Sequence, residues 1–146
     1  MAIIINSFSP NTKMESDKVN ANFSNLSSAI NPTFVFTVVG TLSTGASKPS
    51  ALIVPAGVTI EKVYAYTKTA PTSADLIVDI NVDGTSIWDA NQANRVTISA
   101  SSQSGSQTSF DTTGLSEGEV LTVDIDQIGS GTAGADLTIA LKCSSN

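Results

Sequence analysis

The 146-residue chain has no histidine and one cysteine, and only 14% of its residues are charged. Each scarcity removes a class of chemistry. Without an imidazole there is no Ser-His-Asp or Cys-His pair, no zinc site built on histidine and no proton shuttle tuned near neutral pH. A lone thiol, Cys143, cannot form an intrachain disulfide, so the fold has to rest on packing. It falls in step with Leu137, Ile139 and Leu141, where a thiol behaves as a small apolar side chain. No apolar run approaches the roughly 20 residues that span a bilayer. Met1-Ala2-Ile3-Ile4-Ile5 also lacks the basic start and longer apolar core of a secretion signal. The expectation is a soluble protein made in a cytoplasm. Basic side chains number 7 against 13 acidic ones, a net charge of −6. A negative surface repels phosphate backbones and anionic lipid heads, which sets aside nucleic acid as a partner and membrane insertion.

What is present divides into two grammars. In the first 32 residues, Val19, Phe23, Leu26 and Ile30 recur at steps of four, three and four, one stripe of an α-helix. Ser16 or Asp17 can cap it, and Asn31-Pro32 ends it, because the proline ring excludes helical geometry from the residue before it. A helix of about 14 residues is only about 21 Å long and marginal alone in water, so its stripe has to dock. The partner can be its own domain, a sister chain or a larger assembly.

From residue 33 to 146 the apolar residues alternate, as in strands with one buried face. Phe34, Phe36 and Val38 begin the pattern. Leu76, Val78, Ile80 and Val82 repeat it, then Val96 with Ile98, then Leu121, Val123 and Ile125, then Leu137, Ile139 and Leu141. Turn-forming clusters separate these runs, among them Ser43–Pro49, Pro55-Ala56-Gly57, Asp83-Gly84 and Gly129–Gly134. Eight or nine short strands without intervening helices predict an all-β fold, an antiparallel β-sandwich of jelly-roll-like topology behind a short N-terminal α-helix. Parallel α/β folds are excluded. Outward positions carry Thr, Ser, Asn, Asp and Gln more often than Lys or Glu, a surface that suits packing among identical subunits.

Several strings look chemical. Gly129–Gly134 reads G-x-G-x-x-G, but the residues after it alternate like a strand, so no helix N-terminus follows to hold a pyrophosphate; a flexible hairpin loop is expected. Asp79-Ile80-Asn81-Val82-Asp83-Gly84 opens like a calcium loop, yet the twelfth position is Ala90 instead of a bidentate glutamate. As a strand, the segment spaces Asp79, Asn81 and Asp83 about 6.6 Å apart on one outward face. Asp83-Gly84 is then a type I′ turn returning through Thr85 to Trp88. Asp75, Asp124, Asp126 and Asp136 fall at loop edges or outward positions, and nothing places two carboxylates in one cleft. Neither a catalytic residue, nor a metal ligand, nor a cofactor is assigned. Tyr64, Tyr66 and Trp88 form a candidate aromatic platform for sugar rings, although a lone tryptophan after a hairpin more often packs on the sheet. Asn22-Phe23-Ser24 and Asn25-Leu26-Ser27 fit the glycosylation triplet and, without a secretion signal, need no explanation beyond helix sequence.

The segment from Phe8 to Leu26 resembles the N-terminal adaptor of tailed-bacteriophage virion proteins, found on tail fibres, head fibres and baseplate components. Those adaptors run approximately aromatic-x-P/G-x-T-x-I-x-S-x-x-V-N-x-N-F-x-x-L. Phe8, Pro10, Thr12, Ser16, Val19, Asn20, Asn22, Phe23 and Leu26 match the pattern, while Met14 replaces its branched residue. More loosely, the hairpin Asp79–Trp88 and the run Glu117–Ile125 are similar to small jelly-roll domains that phages mount on capsids and tails. The resemblance implies a virion location, anchoring through Phe8, Pro10, Val19, Asn20, Asn22, Phe23, Leu26 and Ile30 to other virion proteins of capsid, tail or baseplate, and a sandwich that trimerises and projects outward. The reading is a non-enzymatic fibre, spike or capsid decoration subunit, with the length favouring decoration or a minimal spike. The rival is a carbohydrate-binding module contacting host-surface glycans; an enzyme comes third. The helical stripe alone does not fix an oligomeric state, since dimers, trimers and packed monomers all accept apolar residues there.

Overall fold

A computed structural model describes residues 16–28 and 31–145. Its elements run α1 (Ser16–Ser28), β1 (Thr33–Thr41), β2 (Leu52–Ile53), β3 (Val58–Thr69), β4 (Leu76–Val82), β5 (Thr85–Ser86), β6 (Val96–Ile98), β7 (Ser104–Gln107), β8 (Gly114–Leu115), β9 (Val120–Gln127) and β10 (Ala135–Ser145). All strand pairs are antiparallel. Sheet one has the order β1-β10-β3-β7, with β8 also on β3; sheet two has the order β2-β9-β4-β5, with β6 also on β4. Counting β5 with β6, and β7 with β8, as single interrupted strands gives two four-stranded orders, 1-8-3-6 and 2-7-4-5. That is the jelly-roll order, in which the chain changes sheet at nearly every connection. Ten strands replace the expected eight or nine, because β2, β5 and β8 have two residues each and are too short to show an alternation. Among the described residues no helix is long and apolar enough to cross a membrane.

The core lies between the sheets and is made of the alternating residues. Leu76, Val78 and Ile80 of β4, Leu121, Val123 and Ile125 of β9, and Leu137, Ile139, Leu141 and Cys143 of β10 are all buried. On β1, Phe36 is buried while Phe34 and Val38 pack against the same cluster from its margin. Pro32 passes the chain into β1, its carbonyl accepting from the Cys143 N–H at 2.9 Å. Turning at the end of β4, Asp83 and Gly84 have φ of 48° and 83°. Two successive left-handed residues make the type I′ geometry whose twist matches the strands it joins.

One connection differs from the sequence expectation. Gly129–Gly134 joins β9 of sheet two to β10 of sheet one, so it is a crossover and not a hairpin loop. It is also tied down: Thr72 N donates to Thr132 O at 2.9 Å, Gly131 N to Thr72 O at 3.0 Å and Thr132 N to Thr72 Oγ1 at 2.7 Å. A Cβ at Gly129 would sit 2.0 Å from Thr132 O and 2.6 Å from Thr72 N, so glycine serves close approach to the 71–73 turn here. At the opposite margin, Gly105 of β7 lies against β6 of the other sheet, where a Cβ would meet Thr97 O at 2.0 Å. The sandwich closes there by backbone contact.

Candidate functional site

β3 alternates Val63, Ala65 and Thr67 into the core, which turns Tyr64 and Tyr66 outward at 44% and 50% exposure. Their cross-strand neighbours are small. Tyr64 lies between Ala140 of β10 and Ser106 of β7, and Tyr66 between Thr138 and Ser104. The result is a shallow trough of about 490 Å³ on the outer face of sheet one, with Ala65 and Gly105 in its floor. No side-chain hydrogen bond within the described residues engages the hydroxyls of Ser104, Ser106 or Thr138. Lys62 Nζ sits 4.5 Å from the centre of the Tyr64 ring, a cation–π contact. At the bulge where β3 loses register with β10, Lys142 Nζ meets Glu61 Oε2 at 2.5 Å. That contact lowers the Glu61 carboxyl and raises the Lys142 ammonium from their ordinary values.

Charge is distributed unevenly around the body. The strands of sheet one carry Lys62, Lys68 and Lys142 against Glu61 and Asp136. The remainder of the sandwich has nine carboxylates, Asp75, Asp79, Asp83, Asp89, Asp111, Glu117, Glu119, Asp124 and Asp126, against Lys48 and Arg95. The tyrosine face is therefore slightly positive on a protein of net charge −6.

Trp88 does not join that face. It is fully buried, donating its indole Nε1–H to Ser109 O at 2.7 Å, with the Phe110 ring 5.7 Å away. The reason is the hairpin: after β5, the return strand drops inward with Ile87 and Trp88 both in the core. The platform of three aromatics thus reduces to Tyr64 and Tyr66. The sequence offers these two as candidate aromatics, but Ser104, Ser106, Thr138 and Ala140 become their neighbours only through strand pairing, which no local pattern specifies.

The carboxylates are placed differently from the solvated positions expected of them. Asp79 and Asn81 point away from the core, yet they are buried. Asp79 Oδ1 accepts from Ser86 Oγ and from Ile80 N, each at 2.7 Å. Burial raises its carboxyl above the ordinary aspartate value, against the lowering effect of those two bonds. Asn81 Nδ2 donates to Asp124 Oδ2 at 3.0 Å, and Asp83 Oδ1 accepts from Val120 N at 2.9 Å. The calcium-like string is therefore spread along β4 and its turn, with each member bonded elsewhere. Loop amides take other carboxylates: Asp75 accepts from Ala100 N, Asp111 from Ala90 N and Asn91 N, Asp124 from Ser47 N, and Asp136 from Gly40 N. Asp126 pairs with Arg95. Among the described residues no group of three His, Cys, Asp or Glu is arranged to hold a metal ion. Burial pushes the Cys143 thiol up to about 11, which leaves little thiolate at neutral pH.

Of the adaptor residues, Val19 is half-buried, Asn20 exposed, Asn22 half-buried and Phe23 68% exposed. Helix α1 makes a slight contact with β10. Phe8, Pro10 and Ile30 lie outside the described residues, and for Leu26 only the helical backbone is described.

No family model matches the chain. No curated protein matches it either. Among solved structures it is similar to a chain of the cyanophage Pam1 capsid asymmetric unit, with 14% identity, a TM-score of 0.44, and coverage of 80% of this chain and 85% of that one.

Proposed function

We propose that this chain is a non-enzymatic structural subunit of a phage virion, a short fibre, spike or capsid decoration protein. Its N-terminal arm holds other virion proteins and its jelly roll faces outward. The observation that carries this reading is Phe23. It stands in the V-N-x-N-F segment that resembles phage adaptors, and it is 68% exposed on a helix that makes only a slight contact with β10. A large aromatic left in water on a short helix is unfavourable, and docking on a neighbour removes that cost. Among the described residues the buried cluster of the sandwich runs from Phe36 to Cys143 and includes no residue of the arm. Chemistry points the same way: the chain has no imidazole, and Asp75, Asp83, Asp111 and Asp124 are engaged with backbone amides. Self-association, as a trimer by the family resemblance, fits the uncharged edge strand β1, whose sequence TFVFTVVGT contains neither lysine nor proline to deter pairing.

The test is removal of residues 1–31. The truncated chain is expected to fold and to be missing from purified particles, measured by mass spectrometry of particles grown with the truncated gene. Normal incorporation of the truncated chain would overturn the anchoring role.

A further inference from the structure

We infer that the outer face of sheet one is a saccharide-binding surface centred on Tyr64 and Tyr66. Two tyrosines at i and i+2 of one strand stand about 6.6 Å apart along it, close to the spacing needed to contact successive parts of one extended ligand. On both sides the neighbours are small: Ala140 and Thr138 across one flank, Ser106 and Ser104 across the other. Ring surface therefore stays accessible above the trough, which has a volume of about 490 Å³. That size falls in the range of small-ligand sites, about 300–1,000 Å³.

The lining selects among occupants. A pyranose ring offers C–H groups on its faces and hydroxyls around its rim. Tyrosine faces match the first, and the hydroxyls of Ser104, Ser106 and Thr138, which lack side-chain partners among the described residues, match the second. Apolar side chains laid on the trough would cover those hydroxyls without bonding them, and covered unpaired hydroxyls are costly. A second copy docked face to face would bring two slightly positive faces together. Lys62, Lys68 and Lys142 let this slightly positive face approach uronic-acid or phosphate-bearing sugars as well as neutral ones. Trp88 takes no part, being buried. This inference does not depend on how the arm is anchored.

The experiment uses the full chain on an array of defined neutral and uronic-acid oligosaccharides, followed by NMR titration of the strongest binder. Binding is expected on at least one saccharide, with ring signals of Tyr64 and Tyr66 shifting in the titration. Tyr64→Ala and Tyr66→Ala are each expected to weaken that binding by tenfold or more, while Val39→Ser on the edge strand leaves it unchanged. Melting curves identify variants that fail to fold, in which case Tyr66→Phe, which keeps the ring, is expected to retain binding. Absence of binding across the array at millimolar saccharide overturns the inference. So does binding that leaves the tyrosine signals unmoved, or that persists at native strength in a folded Tyr64→Ala chain.

Discussion

Trp88 is enclosed by the core, with its indole N–H satisfied by Ser109 O and its backbone N–H by Ser86 Oγ at 3.0 Å. Ser86 Oγ in turn donates to Asp79 Oδ1. One short chain of bonds thus ties the β4–β5 hairpin to the largest core side chain. Replacing Trp88 by alanine leaves a cavity and an unpaired carbonyl, and is expected to lower unfolding free energy by about 3–5 kcal/mol. Urea denaturation of the variant checks this, with an unchanged saccharide profile separating core loss from surface loss. Asp79 gives a pH signature of its own. Burial raises its carboxyl in the folded state, so the native chain holds the proton more readily than the unfolded chain just above the ordinary aspartate value. Stability from this group is then present at low pH and is lost as pH rises through that window. Asp111, bonded by Asn91 and Ala90, has its carboxyl lowered and behaves oppositely: its contribution is present at neutral pH and is lost in acid. Comparing native and Asp79→Asn chains by urea denaturation from pH 3 to pH 7, the variant is expected to improve relative to native as pH rises. A difference that stays flat with pH would remove the role assigned to burial.

The strand elements show what local pattern can and cannot reveal. Alternation finds β4, β9 and β10 because each buries one face completely, and Asp83-Gly84 marks the hairpin because type I′ geometry needs two left-handed residues. The sequence offers Tyr64 and Tyr66 as aromatics, and the burial pattern of β3 sets them on the face opposite Val63 and Ala65. The rest of the candidate face depends on register between β3, β10 and β7, residues far apart in the chain, and stays invisible until strands are paired. Polar residues mislead for a related reason. Asp79 and Asn81 alternate outward, but Ser86 and Asp124 reach them from neighbouring strands, and a one-dimensional pattern does not show that cover. Gly129 reads as flexibility in the sequence, whereas it and Gly105 both mark backbone contact. Gly105→Ala would press a methyl into Thr97 O across the seam between β7 and β6. The expected loss is about 1–3 kcal/mol, read from urea denaturation, with faster hydrogen exchange confined first to those two strands.

At the scale of the whole molecule, two parts of the chain answer to different requirements. The jelly roll closes its own core between Phe36 and Cys143, and its two sheets meet through side chains drawn from all the longer strands. Among the described side chains of helix α1, Phe23 faces water and Val19 is half-buried, and the helix makes a slight contact with β10. If stability resides in the sandwich, removing residues 1–31 leaves the buried cluster from Phe36 to Cys143 whole and leaves Pro32 to accept from the Cys143 N–H. The denaturant slope, which scales with surface exposed on unfolding, should then stay nearly constant, and the midpoint should shift by less than about 1 kcal/mol of unfolding free energy. A large fall in either quantity would mean that the arm is part of the folded body. In that event a loss of particle incorporation would follow from misfolding, and the separation between an anchoring arm and a self-supporting sandwich would fail on thermodynamic grounds.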